Sequence, residues 1–245
     1  MFRAVLLAVL VSLSAVAVAR ADEAPVTDRA GIETIVREYL LKHPEVIVEA
    51  LQAMQAREEQ ARLDQQKSMI AAHAGRLDDG SNTFVLGNPA GDVTIVEFFD
   101  YRCGYCKRVL PGLIDTVQRD GKVRLVMKEF PILGEDSVIA AKAAIAAAGQ
   151  GRYADMHLAL MAERGGYTEE KVLAIGKDLG LDVERMRGDM ASPATQAVIE
   201  ANYGIAQALQ INGTPAFIIG NDLAPGAIPP ARIQEMIAAA RAAKG

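Results

Sequence analysis

Apolar residues recur at three- and four-residue steps over Ile32, Ile35, Val36, Tyr39 and Leu40, which predicts a short amphipathic helix. His43-Pro44 stops it, because the residue before proline is driven out of the helical region, and Pro44 can open the next helix. That second helix starts apolar at Val46, Ile47, Val48, Leu51 and Met54, then runs polar from Gln55 to Lys67. A surface so evenly polar cannot lie on a core along its whole length. It predicts a solvated stalk, held helical by propensity and side-chain pairing. The turn cluster Asp78-Asp79-Gly80-Ser81-Asn82 marks a domain boundary, dividing an N-terminal helical region at 22–80 from a domain at 81–245.

Beyond the boundary the pattern changes to strand, turn and helix. Thr83–Leu86 reads as a short strand, closed by Gly87-Asn88-Pro89, and Val93–Phe99 as a buried one, β-branched and aromatic. A helix is predicted from about Cys103 to Arg119, ended by Asp120-Gly121, and a further strand over Val123–Lys128, stopped by Pro131. Residues 137–190 hold no strand signal. An alanine-rich helix capped by Asp136 or Ser137 should end near Gly149, a second should span about Arg152–Glu163, and Thr168 can cap a third. Ser192-Pro193 opens a long helix to Gln210, Ala216–Ile219 is a strand, and Pro230 begins the last helix. The fold class is α/β.

Composition narrows the function. The chain has 245 residues and a formal charge of -5, which argues against a nucleic-acid partner. Met1-Phe2-Arg3, the apolar run Ala4–Val18 and Ala19-Arg20-Ala21 fit a secretory signal peptide over residues 1–21, cleaved after Ala21. The apolar run is short for a bilayer span, which needs roughly 20 residues. Loss of Arg3 and Arg20 with the leader takes the charge to -7. The product is expected in a compartment that permits disulfide chemistry. The methionines are scattered and read as core filler rather than as ligands.

The two cysteines sit as Cys103-Gly104-Tyr105-Cys106, after a buried strand and at the start of a predicted helix. A thiol there faces unsatisfied N–H groups and the positive end of the helix dipole, which favour the thiolate. The thiolate is the nucleophile of thiol–disulfide exchange, and a second thiol one turn on can resolve a mixed disulfide. A purely structural bridge would close so small a loop that it would stabilise little. Half of a zinc site is the other alternative, but no second such pair completes it, and His43, His73 and His157 are scattered.

Val96-Glu97-Phe98-Phe99-Asp100-Tyr101-Arg102-Cys103-Gly104-Tyr105-Cys106, with Pro111 five residues on, resembles a thioredoxin-fold active site. The helical block between the strands at 123–128 and 216–219 resembles the insertion of DsbA-like periplasmic oxidoreductases, and Gly213-Thr214-Pro215 resembles the family's cis-proline loop. The resemblance covers residues 82–245. It implies a thioredoxin fold with a helical insertion, an attacking Cys103, a resolving Cys106 and a redox disulfide Cys103–Cys106. It implies a cis Pro215 beside that disulfide, where the backbone of Thr214 can pair with an extended substrate; an ordinary trans turn is the alternative. It also implies a buried Glu97 as proton acceptor for Cys106. An acid in a run of Val, Ile and Phe should be desolvated, unless it lies on a rim facing water.

Gly104-Tyr105 replaces the Pro-His of DsbA-type oxidases, and together with Thr214 it is more similar to the disulfide isomerase DsbC. Gly104, Tyr105, Thr214 and Pro215 are the expected substrate contacts; Tyr101 and Tyr105 could touch substrate or simply cover the site. The N-terminal helical extension resembles that of trimeric suppressor-of-copper-sensitivity proteins C (ScsC) and of Com1-type outer-membrane-associated antigens. These resemblances imply a periplasmic disulfide isomerase or reductase acting on client proteins, reset by a membrane redox partner. They imply a homo-oligomer, a trimer before a dimer, built on the N-terminal stripe; a stripe docked on its own domain would leave a monomer. No cofactor and no resident metal are expected. The rival readings are a Cu(I)-handling or chaperone-like binding protein using the same thiols, a DsbA-type dithiol oxidase, and a surface protein with a vestigial site.

Overall fold

The computed structural model describes residues 28–78 and 84–243. The expected leader and its cleavage after Ala21 lie outside the described residues, as do turn residues 79–82 and Thr83. The chain divides into two compact units, one through Ala56 and one from Arg57. No described helix is long and apolar enough to cross a membrane.

In the first unit, Asp28 caps α1 (Arg29–Lys42) by accepting the Gly31 N–H at 2.8 Å. The helix stops at His43, ahead of Pro44, and α2 (Glu45–Ala72) starts directly after it. No residue of α1 is buried. Ile35, Tyr39, Leu41, Val48 and Leu51 stand exposed.

The second unit is built on a five-stranded sheet in the order β1-β3-β2-β4-β5. Its strands are β1 (Phe84–Gly87), β2 (Val93–Phe99), β3 (Val123–Glu129), β4 (Ala216–Ile219) and β5 (Asp222–Pro225). β2 and β3 are parallel and the other pairs antiparallel. The two central strands are buried on both faces because helices cover both. On one face Ile95, Phe99, Leu125, Met127 and Phe217 pack with α4 (Gly104–Asp120) and α10 (Pro230–Ala242). On the other, Val96, Phe98, Val126 and Ile218 pack with Ile205 and Leu209, at the end of the long helix that precedes β4.

Between β3 and β4 lie α5 (Glu135–Ala148), α6 (Tyr153–Ala162), α7 (Glu169–Asp178), α8 (Val183–Met190) and α9 (Pro193–Ala208). Thr168 and Ser192 cap α7 and α9 as their sequence positions predict. Neither Asp136 nor Ser137 caps α5. Gly134 holds that position with φ 115°, and Ser137 lies buried inside the first turn. Two elements go beyond the sequence reading. Helix α8 has its own cap, Asp182, whose carboxylate accepts the Arg185 N–H at 3.0 Å. Strand β5 pairs with β4 across the Gly220-Asn221 turn.

The compact unit starts at Arg57, whereas the turn cluster places a domain start at Ser81. Ile70 of α2 and Leu77 of α3 (Ala74–Leu77) are buried against Val96, Phe98 and Val126. Arg124 holds Asp78 through two bonds of 2.7 and 2.8 Å. The end of α2 is therefore anchored in a core through Ile70, beyond the polar run Gln55–Lys67, whose residues are exposed except for the half-buried Leu63 and Gln66.

Candidate active site

Strand β2 alternates its side chains between the two faces, so Glu97 shares a face with Ile95 and Phe99, the face that α4 covers. The chain then turns through Asp100–Arg102 into α4. Cys103 is the N-cap of that helix, in extended geometry, and its Sγ accepts the Cys106 N–H at 3.3 Å. Cys103 also donates to the Thr214 carbonyl at 3.3 Å, across a loop whose Thr214–Pro215 peptide is cis. Both cysteines are free thiols. Cys103 keeps 6% of its surface and Cys106 none, so only the first can be reached from solvent.

The electrostatics separate the two sulfurs. The hydrogen bond from Cys106 is the largest influence on Cys103. Together with Thr214 and the N–H groups of Cys106 and Tyr105, it outweighs burial and lowers the thiol to about 5. Burial, the bond to Cys103 and the charge of Glu97 all push Cys106 upward. Glu97 is buried and neither carboxyl oxygen has a hydrogen-bond partner. Burial, and then the charge of Cys103, raise it to about 8. A nucleophile that ionises readily, a partner that holds its proton and a carboxyl poised between its two protonation states thus lie together.

Gly104 is exposed, with open space where a side chain would stand, and Tyr105 is 58% exposed with the Arg108 guanidinium 4.9 Å from its ring centre. Thr214 and Pro215 line a cleft of about 260 Å³ with Gln210, Leu223 and Gly226. The structure thus brings Cys103, Cys106, Glu97, Thr214 and Pro215 together, with Gly104 and Tyr105 on the open side of the helix start. Tyr101 behaves differently from Tyr105. It is buried, 1% exposed, and covers the site from beneath.

Sequence reading missed the polar cluster around Tyr101. Its hydroxyl donates to Glu129 Oε1 at 2.9 Å, and the Tyr153 hydroxyl reaches the same oxygen at 2.8 Å. His157 Nδ1 lies 3.1 Å from the Tyr101 hydroxyl. Burial outweighs the two donated bonds and raises Glu129 to about 8, while it lowers His157 to about 3. One signal was available: Glu129 has the same parity along β3 as Leu125 and Met127, both buried. Lys107 was also overlooked. Its Nζ donates to the Tyr167 hydroxyl at 3.0 Å and to the Glu163 carbonyl.

Comparison with known proteins agrees with this geometry. Residues 94–238, more than half of the chain, match the DSBA-like thioredoxin domain, and residues 28–61 match the N-terminal domain of the copper resistance protein ScsC. A thioredoxin-like oxidoreductase from Silicibacter pomeroyi is 45% identical with a TM-score of 0.66, over 69% of this chain and 97% of that one. A linker-deletion variant of Proteus mirabilis ScsC is 21% identical with a TM-score of 0.68, over 92% of this chain and all of that one, and shares the fold. The probable disulfide bond formation protein D of Bacillus anthracis is 30% identical over 168 residues, 61% of this chain and 77% of its own. Among curated relatives are also sodium/proton antiporters of Salinispora, of whose length this chain spans 24%. With the thiol pair at the helix start, the sheet order and the helical insertion all in place, the chain belongs to the DsbA-like thiol–disulfide oxidoreductase family and carries an ScsC-type N-terminal helical segment.

Proposed function

We propose that the protein is a periplasmic disulfide isomerase or reductase of client proteins, working through Cys103 and Cys106 as a redox pair. The observation that carries the reading is the Cys103 sulfur at the N-cap of α4, bonded by the Cys106 N–H at 3.3 Å. The Cys103 thiolate attacks one sulfur of a client disulfide. A mixed disulfide forms and the other client sulfur leaves as a thiolate. In isomerisation a client thiolate then attacks the client sulfur of the mixed disulfide, and Cys103 departs unchanged. In reduction, Cys106 gives its proton to the Glu97 carboxylate and attacks Cys103. The client leaves reduced and the Cys103–Cys106 disulfide forms, to be reset by a membrane-bound thiol donor.

The exposed positions of Gly104 and Tyr105 and the cleft beside Thr214 and Pro215 suit the recognition of an extended client segment. The exposed apolar residues of α1 and of the start of α2 support a homo-oligomer, a trimer before a dimer, in which copies bury these stripes against one another. Several redox sites held around one client favour isomerisation. The leader-like residues 1–21 support export to the periplasm. Refolding of a scrambled disulfide substrate, with light scattering on the mature chain, tests the reading. An oligomer that restores activity to the scrambled substrate is expected. A monomer that only oxidises dithiols would overturn it in favour of a DsbA-type oxidase.

A second reading is favoured by the copper-resistance name of the N-terminal domain family. In it the two soft thiolates hold Cu(I). Cu(I) titration of the protein and of Cys103→Ser tests it: tight binding lost in the variant supports it, and equal binding by both removes it.

A further inference from the structure

Asp100 and Tyr101, the buried residues three and two places ahead of Cys103, are bonded chiefly from the insertion side. Asp100 Oδ1 accepts the Ser137 hydroxyl of α5 at 2.8 Å, and Oδ2 accepts the Leu133 N–H at 3.0 Å. The Tyr101 hydroxyl donates to Glu129, so it accepts from His157 Nδ1 of α6, which requires the ring proton on Nδ1. That leaves Nε2 as the unpartnered ring nitrogen, as found. The Tyr167 hydroxyl, in the loop between α6 and α7, shares its one proton between the Leu160 carbonyl at 2.7 Å and the Tyr101 carbonyl at 3.1 Å. On the far side of the motif the same hydroxyl receives Lys107 Nζ at 3.0 Å. Tyr167 therefore touches the chain both before Cys103 and after Cys106.

We infer that the helical insertion is a positioning clamp for the redox motif, in which Ser137, His157 and Tyr167 hold Asp100, Tyr101 and Lys107 and so fix the Cys103 sulfur over the first turn of α4. Apolar packing alone would dock the insertion, and every buried hydroxyl used in its place must be bonded or costs stability. Directional bonds add placement. The Cys103 N–H donates to the Asp100 carbonyl at 3.0 Å, so the backbone held by the clamp continues directly into the residue that carries the sulfur. Charge-assisted bonds to a thiolate weaken steeply as distance and angle degrade. The clamp thereby sets how far the reduced form is favoured. Ser137, His157 and Tyr167 are positioning residues, since none bonds to either sulfur.

The test measures two quantities in the full chain. One is the midpoint of the Cys103 thiolate absorbance. The other is the equilibrium in which the protein disulfide takes two electrons and two protons from two glutathione thiols, giving the dithiol and one glutathione disulfide. Tyr167→Phe should raise the midpoint by about one pH unit and lower the ratio of reduced to oxidised protein about tenfold, with a smaller shift in the same direction for Ser137→Ala. Met186→Ala, which empties the buried contact of α8 against Gly176, should lower the melting temperature and move neither quantity. If Tyr167→Phe fails to fold, Ser137→Ala decides. The clamp is overturned if the folded clamp variants keep the wild-type midpoint and ratio, or if Met186→Ala shifts both equally.

Discussion

Glu97 and Glu129 sit on neighbouring parallel strands, on the same face of one sheet, and burial raises both to about 8. Their surroundings differ. Glu129 receives two tyrosine hydroxyls on one oxygen, and the Asn202 side-chain amide donates to its carbonyl at 3.0 Å. Glu97 has no partner on either oxygen and lies against the two thiols. Burial alone therefore does not separate a carboxyl that organises structure from one free to exchange a proton. The presence of donors does. A bonded carboxyl is tied to the groups it orients, whereas an unbonded one costs stability and finds its use in chemistry.

The largest effect should come from Glu97→Gln in the resolving step. The mixed disulfide removes the Cys103 charge that helps to keep Glu97 protonated, so the carboxylate forms as Cys106 must lose its proton. Single-turnover release of client from the mixed disulfide should slow about 10²- to 10⁴-fold, the usual range for a lost general base. An unchanged rate would make Glu97 a bystander and erase the contrast with Glu129.

The second effect is a pH dependence. A carboxyl at about 8 when folded, against 4.5 as its ordinary value, stabilises the fold fully below 4.5 and loses that contribution as pH rises towards 8. Glu97→Gln removes this loss. Relative to wild type it should gain on the order of 3 kcal/mol between acid solution and about pH 7, measured by denaturant unfolding. A constant difference between the two proteins across that range would show that Glu97 ionises without penalty.

Glu129→Ala should act in the opposite direction. At about pH 5 both carboxyls are protonated, and the substitution leaves the Tyr101 and Tyr153 hydroxyls buried without their acceptor, a loss of about 2–4 kcal/mol. Glu97→Gln at the same pH should be nearly neutral. Equal losses would merge the two sites into one class. The smallest effect is expected at Thr214. Thr214→Val removes a hydroxyl that helps to lower Cys103, so it should raise the thiol and shift activity a few-fold away from dithiol oxidation, read in paired oxidation and scrambled-substrate assays. No change in either assay would remove Thr214 from the tuning residues.

What the sequence makes legible is local. Val93–Phe99 announces a buried strand, Asp120-Gly121 a helix stop and Ser192-Pro193 a helix start, each within a few neighbouring residues. Cys103 at a helix start follows from the same short range. Ile70 and Leu77 were hidden because the polar run before them resembles a free helix, and their partners lie on distant strands. β5 was masked by its own content, since Asp222 and Pro225 read as turn residues until the β4 edge is there to pair with them. The Glu129 cluster joins residues 24 to 56 positions apart through side-chain hydroxyls and a ring nitrogen, and no periodicity records such bonds.

The two thiols divide the labour of exchange between them, and one titration reaches that division directly. Thiolate absorbance of the reduced protein against pH should rise with a midpoint near 5, should vanish in Cys103→Ser, and should contain no contribution from Cys106 at neutral pH. A midpoint at or above the free-thiol value of about 8.5 would contradict it.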